Sequence, residues 1–254
     1  MQIGMGLTSI NENDIINKNI DFFNKNCQIY KDASTNGGAL YPFYRKYLRN
    51  LKIKILDVGG GDGSFCILLK KNFPEAEVTL LEPSENLISQ CEDPCISKRQ
   101  GSLPDKLNLV DSEEFDFIFM RFVLHHLAAR TIASSRSLAK ASLLELKKHL
   151  NHNGYLIISE TFYESYFITT FVRNVLFHLL DVQNYLGLRI PLPDFQLGLR
   201  VCFYTRSELK QLFSECGFVI IELKDNYVQG NIIQKTTLKA WGFTDFILKI
   251  NTRD

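Results

Sequence analysis

Leu56-Asp57-Val58-Gly59-Gly60-Gly61-Asp62-Gly63 is the stretch on which the fold turns. Before the glycines, Ile53-Lys54-Ile55-Leu56-Asp57-Val58 is a mostly apolar run of strand length, the pattern of a largely buried strand. After them, Ser64 to Asn72 reads as a helix. Gly59, Gly61 and Gly63 carry no Cβ, so the backbone between strand and helix can pass through positive φ and a ligand can approach it closely. The helix presents unpaired N–H groups at the same place. In open α/β sheets, ligands bind at the carboxyl ends of strands, near the switch point.

The spacing narrows the ligand. A dinucleotide fingerprint, Gly-x-Gly-x-x-Gly, fails from either start: from Gly59 its last position falls on Ser64, and from Gly61 on Cys66. The Gly-Lys-Ser/Thr of a phosphate-cradling loop is absent. Asp57 and Asp62 bring negative charge to the turn, which suits a ligand with a positive end better than a pyrophosphate. S-adenosylmethionine has an ammonium and a sulfonium, and no phosphate.

Working outward, strands alternate with helices. Glu77 to Glu82 reads as a second strand, with Ser84 capping a short helix through Cys91. Residues 96–101 are a weak third strand, Phe115 to Met120 a strong fourth and Tyr155 to Ser159 a fifth. A helix over 136–150 and a turn at His152-Asn153-Gly154 lie between the last two. Alternation of this kind implies right-handed crossovers and a parallel sheet. Toward the C-terminus, Thr205 caps a helix from Arg206 to Cys216 and Gly217 ends it. Strands follow at Phe218 to Leu223 and Leu238 to Leu248.

The 254 residues suit one α/β domain with four parts. These are an N-terminal helical cap at 1–50 with a loop at Ser34 to Gly38, a cofactor-binding core at 51–160, an aromatic substrate cap at 161–200, and the closing strands at 201–254. A net charge of +1 gives no basic footprint for nucleic acid, so no nucleic-acid partner is expected. Cys91 and Cys95 form a lone pair without a second pair at finger spacing, so the six cysteines read as reduced thiols of a cytoplasmic protein and no metal is expected. Met1 to Ile10 shows no secretory signal. Tyr166 to Leu188 is interrupted by Arg173, His178 and Asp181, so it is not read as a membrane span.

The glycine stretch resembles the first motif of the class I S-adenosylmethionine-dependent methyltransferase superfamily, and further motifs follow in order over about residues 50–160. The resemblance implies a seven-stranded, mostly parallel sheet with helices on both faces and an antiparallel last strand. It implies that the turn wraps the methionine part of the cofactor, with Asp57 near the ammonium through water and Gly59, Gly61 and Gly63 lending backbone. Glu82, followed by Pro83, would accept from the ribose hydroxyls. Gly101 and Ser102 would meet the adenine; the family usually has Asp where Ser102 stands. Met120 and Arg121 would pass near the cofactor. The Asn-Pro-Pro-aromatic signature of enzymes that methylate exocyclic or amide nitrogens is absent after the fourth strand.

The expected reaction is methyl transfer from S-adenosylmethionine to oxygen, nitrogen or carbon of a small, partly apolar molecule, leaving S-adenosylhomocysteine. Positioning can supply much of the rate, and a base is needed only where the nucleophile arrives protonated. His125 and His126 are the candidate bases, with His126, beside Leu127, the more structural of the two. Tyr163, Phe167, Phe171 and Arg173 are expected to build the substrate pocket, with Tyr30 and Tyr41 closing it from the N-terminal side. The rival readings are a protein or RNA methyltransferase, and a non-catalytic cofactor-binding partner subunit. Monomer and homodimer both remain open.

Overall fold

The computed structural model describes residues 12–30, 41–48, 52–166, 168–188, 196–228 and 238–252, with the side chains of 12, 13, 29, 30, 41 and 42 outside the description. The strands are β1 (Lys54–Val58), β2 (Glu77–Glu82), β3 (Ile96–Gln100), β4 (Phe115–Arg121), β5 (Leu150–Ser165), β6 (Phe218–Tyr227) and β7 (Leu238–Ile250). They form one sheet in the order β3-β2-β1-β4-β5-β7-β6. The first five strands run parallel, and β7 is antiparallel to both of its neighbours. The connection reverses direction between β1 and β4, so a crevice opens beside the carboxyl end of β1.

Burial on both faces explains why β1 and β4 read as continuous apolar runs. Leu56, Val58, Ile118 and Met120 face one core with α6 (Ile132–Lys148) and α8 (Arg206–Glu215). Ile55, Phe117 and Phe119 face the other, with α3 (Tyr41–Arg45) and α4 (Ser64–Asn72). A long N-terminal helix, α1 (Glu12–Lys25), and a short one, α2 (Cys27–Tyr30), precede them, and α5 (Glu85–Ile88) follows β2.

Three readings of the sequence change. His152-Asn153-Gly154 is not a turn between elements. It belongs to β5, where the register against β4 jumps from Phe115↔Leu150 to Phe117↔Tyr155. The polar residues form a bulge, and Asn151 Nδ2 donates to Asp116 Oδ1 at 3.2 Å. The same strand runs past Ser159 to Ser165 because β7 supplies an antiparallel partner throughout; the expected substrate cap therefore begins inside a strand. Third, α6 starts at Ile132, earlier than read, because Thr131 and Ser134 form a capping box in which serine replaces the usual glutamate.

Within the expected substrate cap, α7 (Phe171–Leu186) buries Phe177, Leu180 and Gln183 and leaves Phe171, Val175, Leu179 and Val182 exposed. Among the described residues, no helix is long and apolar enough to cross a membrane, and no cluster of His, Cys, Asp and Glu could hold a metal ion.

The start of α8 carries a second capping box, in which Thr205 is buried and Glu208 partly so. Thr205 Oγ1 accepts from the Glu208 N–H at 3.2 Å, and Glu208 Oε2 accepts from the Thr205 N–H at 2.9 Å. Thr205→Ala is expected to cost about 1 kcal/mol of stability. The check is a lower urea midpoint at unchanged slope.

Candidate active site

A cavity of about 770 Å³ opens at the carboxyl ends of the parallel strands. The β1–α4 turn from Asp57 to Asp62 forms its floor, with Glu82 and Pro83 after β2, and Gly101, Ser102 and Leu103 after β3. Arg121 to Val123 and His125 to Leu127 come from the end of β4 and its loop. Ile16, Asn19, Ile20 and Phe23 of α1 line it together with Gln196, Leu199, Val201 and Phe203.

The turn is held by Glu82. Its Oε2 accepts from the Gly61 N–H at 3.0 Å and its Oε1 from the Ser84 N–H at 2.8 Å. Each oxygen keeps a second lone pair for a ligand hydroxyl. Gly61 has φ +60°, and a Cβ there would meet no atom within 4 Å, so this backbone faces open space. Gly60 is the opposite case, because a Cβ there would lie 2.3 Å from Asp57 Oδ2.

The three acids of the floor, Asp57, Asp62 and Glu82, are buried, and burial dominates the chemistry of Asp57 and Glu82. Loss of water pushes the Glu82 carboxyl up to about 7, against the two backbone N–H groups that favour its charge. Loss of water likewise raises Asp57 to about 6, opposed by the Arg121 guanidinium and by the Cys66 thiol, which donates to Oδ2 at 3.4 Å. The Arg121 guanidinium lies over the Phe65 ring at 4.0 Å. A cationic ligand group here would favour the charged forms of Asp57 and Glu82.

The two histidines differ. His125 is nearly buried, and its Nδ1 lies 2.5 Å from Glu160 Oε1. Its ring stacks on Phe203 at 5.4 Å. His126 sits edge-on to Phe23 at 4.9 Å, and its Nδ1 has no hydrogen-bond partner. Burial first, then its neighbour His125, holds His126 well below the usual imidazole range.

Ten expected residues line this cavity together: Asp57, Gly59, Gly61, Glu82, Pro83, Gly101, Ser102, Arg121, His125 and His126. Gly63 and Met120 do not line it. Gly63 caps α4, with Cys91 beside it, and Met120 is enclosed in the core. The expected substrate residues are not gathered there. Tyr163 stands behind the wall against Phe203, with ring centroids 4.8 Å apart. Phe171 lines a separate surface depression on α7. Arg173 is buried but points to α8, where it pairs with Glu208. Phe167 and the side chains of Tyr30 and Tyr41 lie outside the described residues, as does the glycine pair Gly37-Gly38.

The walls that replace them come from α1 and residues 196–203. Ile16, Ile20 and Phe23 repeat at helical spacing, a signal present in the sequence. Asn19, on the same side, pins the helix. Its Nδ2 donates to the His126 and Arg200 carbonyls at 3.0 and 2.9 Å, and its Oδ1 accepts from the Arg200 N–H at 3.0 Å. Glu160 also went unread; a carboxylate following the apolar run Ile157-Ile158 was the available signal.

Known proteins of the same fold are numerous. A magnesium protoporphyrin IX methyltransferase from Synechocystis with bound SAH superposes with a TM-score of 0.60 at 16% identity, covering 93% of this chain and all of that one. The DhpI complex with SAM and HEP gives 0.59 at 15%, over 94% and 100%. A methyltransferase from Methanosarcina mazei gives 0.56 at 19%, over 83% and 98%. Among curated proteins no significant sequence relative is found. Residues 35–223 match the model of a methyltransferase domain family. With the strand order and the glycine turn at the crevice, that match establishes that the chain belongs to the methyltransferase domain family, on the fold of the S-adenosylmethionine-dependent enzymes.

Proposed function

We propose that the protein transfers a methyl group from S-adenosylmethionine to a small, partly apolar molecule. One observation carries the reading: the same cavity is lined by a glycine turn with Asp57, Asp62 and Glu82 and by apolar side chains of α1 and residues 196–203. The open backbone at Gly61 and the spare lone pairs of Glu82 fit the cofactor. The turn would hold its methionine part, with Asp57 toward the ammonium, and Glu82 would hold its ribose. When bound, the cofactor supplies a methyl group on positively charged sulfur, an electrophile that needs no further activation. The protein then has to orient a nucleophile and exclude water. Phe23, Leu199, Val201 and Phe203 form the walls against which an apolar acceptor would lie. That structurally similar proteins hold SAM or SAH supports the choice of cofactor.

S-adenosylhomocysteine release, measured with aromatic and aliphatic small molecules and with extracted RNA and protein, tests the acceptor class. Turnover confined to small molecules is expected; turnover confined to a macromolecule would overturn the assignment.

Affinity for the cofactor should depend on pH. Asp57 and Glu82 must shed their protons to face the ligand, so binding strengthens as pH rises through about 6 to 7. As pH falls from about 7 to 6 the dissociation constant for S-adenosylmethionine should rise about tenfold, and below about 6, where both acids take up a proton, about a hundredfold per pH unit. Calorimetry between pH 5 and 8 (roughly the working range of such titrations) reads this directly, and a flat profile contradicts it.

A further inference from the structure

His125 and Glu160 form a built pair beside the apolar walls of the cavity. Glu160 is fully buried on β5, where two backbone N–H groups and an imidazole nitrogen meet its carboxyl. Its Oε1 accepts from the Thr161 N–H at 2.7 Å and lies 2.5 Å from His125 Nδ1, while its Oε2 accepts from the His125 N–H at 3.3 Å. The carboxylate therefore fixes both the ring and the backbone of His125. An ionised carboxylate cannot donate, so with Glu160 charged the hydrogen between it and the ring sits on Nδ1, and in the neutral ring Nε2 carries the lone pair. The ring is further fixed by its stack on Phe203, which itself lines the cavity.

We propose that His125 takes the proton of the methyl-accepting group, that Glu160 is its positioning residue, and that the acceptor is an aromatic hydroxyl. This rests on the methyltransferase reading above. A carboxylic acid arrives ionised at neutral pH and needs no base. An aliphatic alcohol is too weak an acid for imidazole to deprotonate efficiently. An alkylammonium would bring a second positive charge beside the cofactor and against apolar walls, at a large desolvation cost. A phenol-like ring suits walls made by Phe23 and Phe203. In the step, the acceptor's O–H bond breaks and its proton goes to Nε2. The pair left on oxygen forms the new O–C bond while the bond from methyl to sulfur breaks and its pair returns to sulfur.

Further titratable groups stand close to this pair. His126, on the same turn, is kept uncharged by burial. Cys202, whose N–H donates to the His125 carbonyl at 2.8 Å, has its thiol pushed up to about 11 by burial. Tyr204, whose hydroxyl feels the Glu160 charge, is likewise held well above the usual phenol range, chiefly by burial.

Nitrogen NMR of the imidazoles, on the wild type and on Glu160→Gln, tests the pair without an acceptor. The expected result is Nδ1–H at His125, with a titration that falls by about one pH unit or more in the variant. An Nε2–H tautomer, or a titration the variant does not move, would overturn it. If Glu160→Gln does not fold, the wild-type tautomer still decides. With a panel of phenols, His125→Gln should slow turnover about 10²–10⁴-fold. Glu160→Gln should lower kcat more than the KM for S-adenosylmethionine, and move the rising limb of the pH profile to lower pH. Normal S-adenosylmethionine binding with no phenol methylated would overturn the acceptor assignment, whereas absent binding would overturn the methyltransferase reading itself.

Discussion

Gly61→Val is expected to abolish S-adenosylmethionine binding and leave the protein folded. Gly61 sits at φ +60°, where a β-branched residue costs about 1–2 kcal/mol. No atom lies within 4 Å of the added Cβ, so the side chain starts into open space. The methyl groups would stand in the space the ligand needs. A loss of affinity of about 100-fold or more, some 2.7 kcal/mol, is expected, with a modest fall in Tm. The neighbouring Gly60→Ala is the contrast. Its Cβ would meet Asp57 Oδ2 at 2.3 Å and a Leu80 methyl at 2.5 Å, so it should destabilise the fold itself. Calorimetry with thermal melts on both variants separates a blocked cradle from a broken turn.

Glu82→Ala should have a comparable effect on binding for a different reason. The carboxylate satisfies two backbone donors, at Gly61 and Ser84, and alanine leaves both unpaired at a largely buried site. An unsatisfied buried donor costs about 1–3 kcal/mol. Removing a carboxyl that burial has pushed up to about 7 relieves a desolvation cost of the opposite sign. Stability should therefore change little, by about 1–2 kcal/mol in either direction. In binding the losses add, because the turn loosens and the hydroxyl acceptor is gone. An affinity loss of about 100-fold or more is expected. Glu82→Gln, which keeps one acceptor oxygen, should fall between the two; equal affinity for wild type and alanine variant would contradict the role.

Local spacing made the end of the cavity at the strand ends legible. The glycine turn, the acid that ends β2 and the Gly-Ser after β3 each follow a strand, and a parallel sheet brings strand ends together whatever the connections are. The part lined by α1 and residues 196–203 was not legible in the same way, because its residues meet across long separations. The aromatic density of 161–200 suggested a pocket, yet density does not say which way a ring points. Phe171 faces outward on α7, and Arg173 is taken by Glu208. The actual wall depends on Asn19, whose partners His126 and Arg200 lie 107 and 181 residues away. Glu160 belongs to the same class. Its position on a buried strand implied a partner, but only the fold shows that the partner is His125. The misplaced ends of β5 have a related cause, since the length of that strand is set by β7 rather than by its own residues.

Titration of S-adenosylmethionine into the purified protein, with NAD and the Gly61→Val variant beside it, tests the central claim most directly. Saturable binding at one site, absent with NAD and lost in the variant, is the predicted result. No heat with S-adenosylmethionine, or a preference for NAD, would contradict the account.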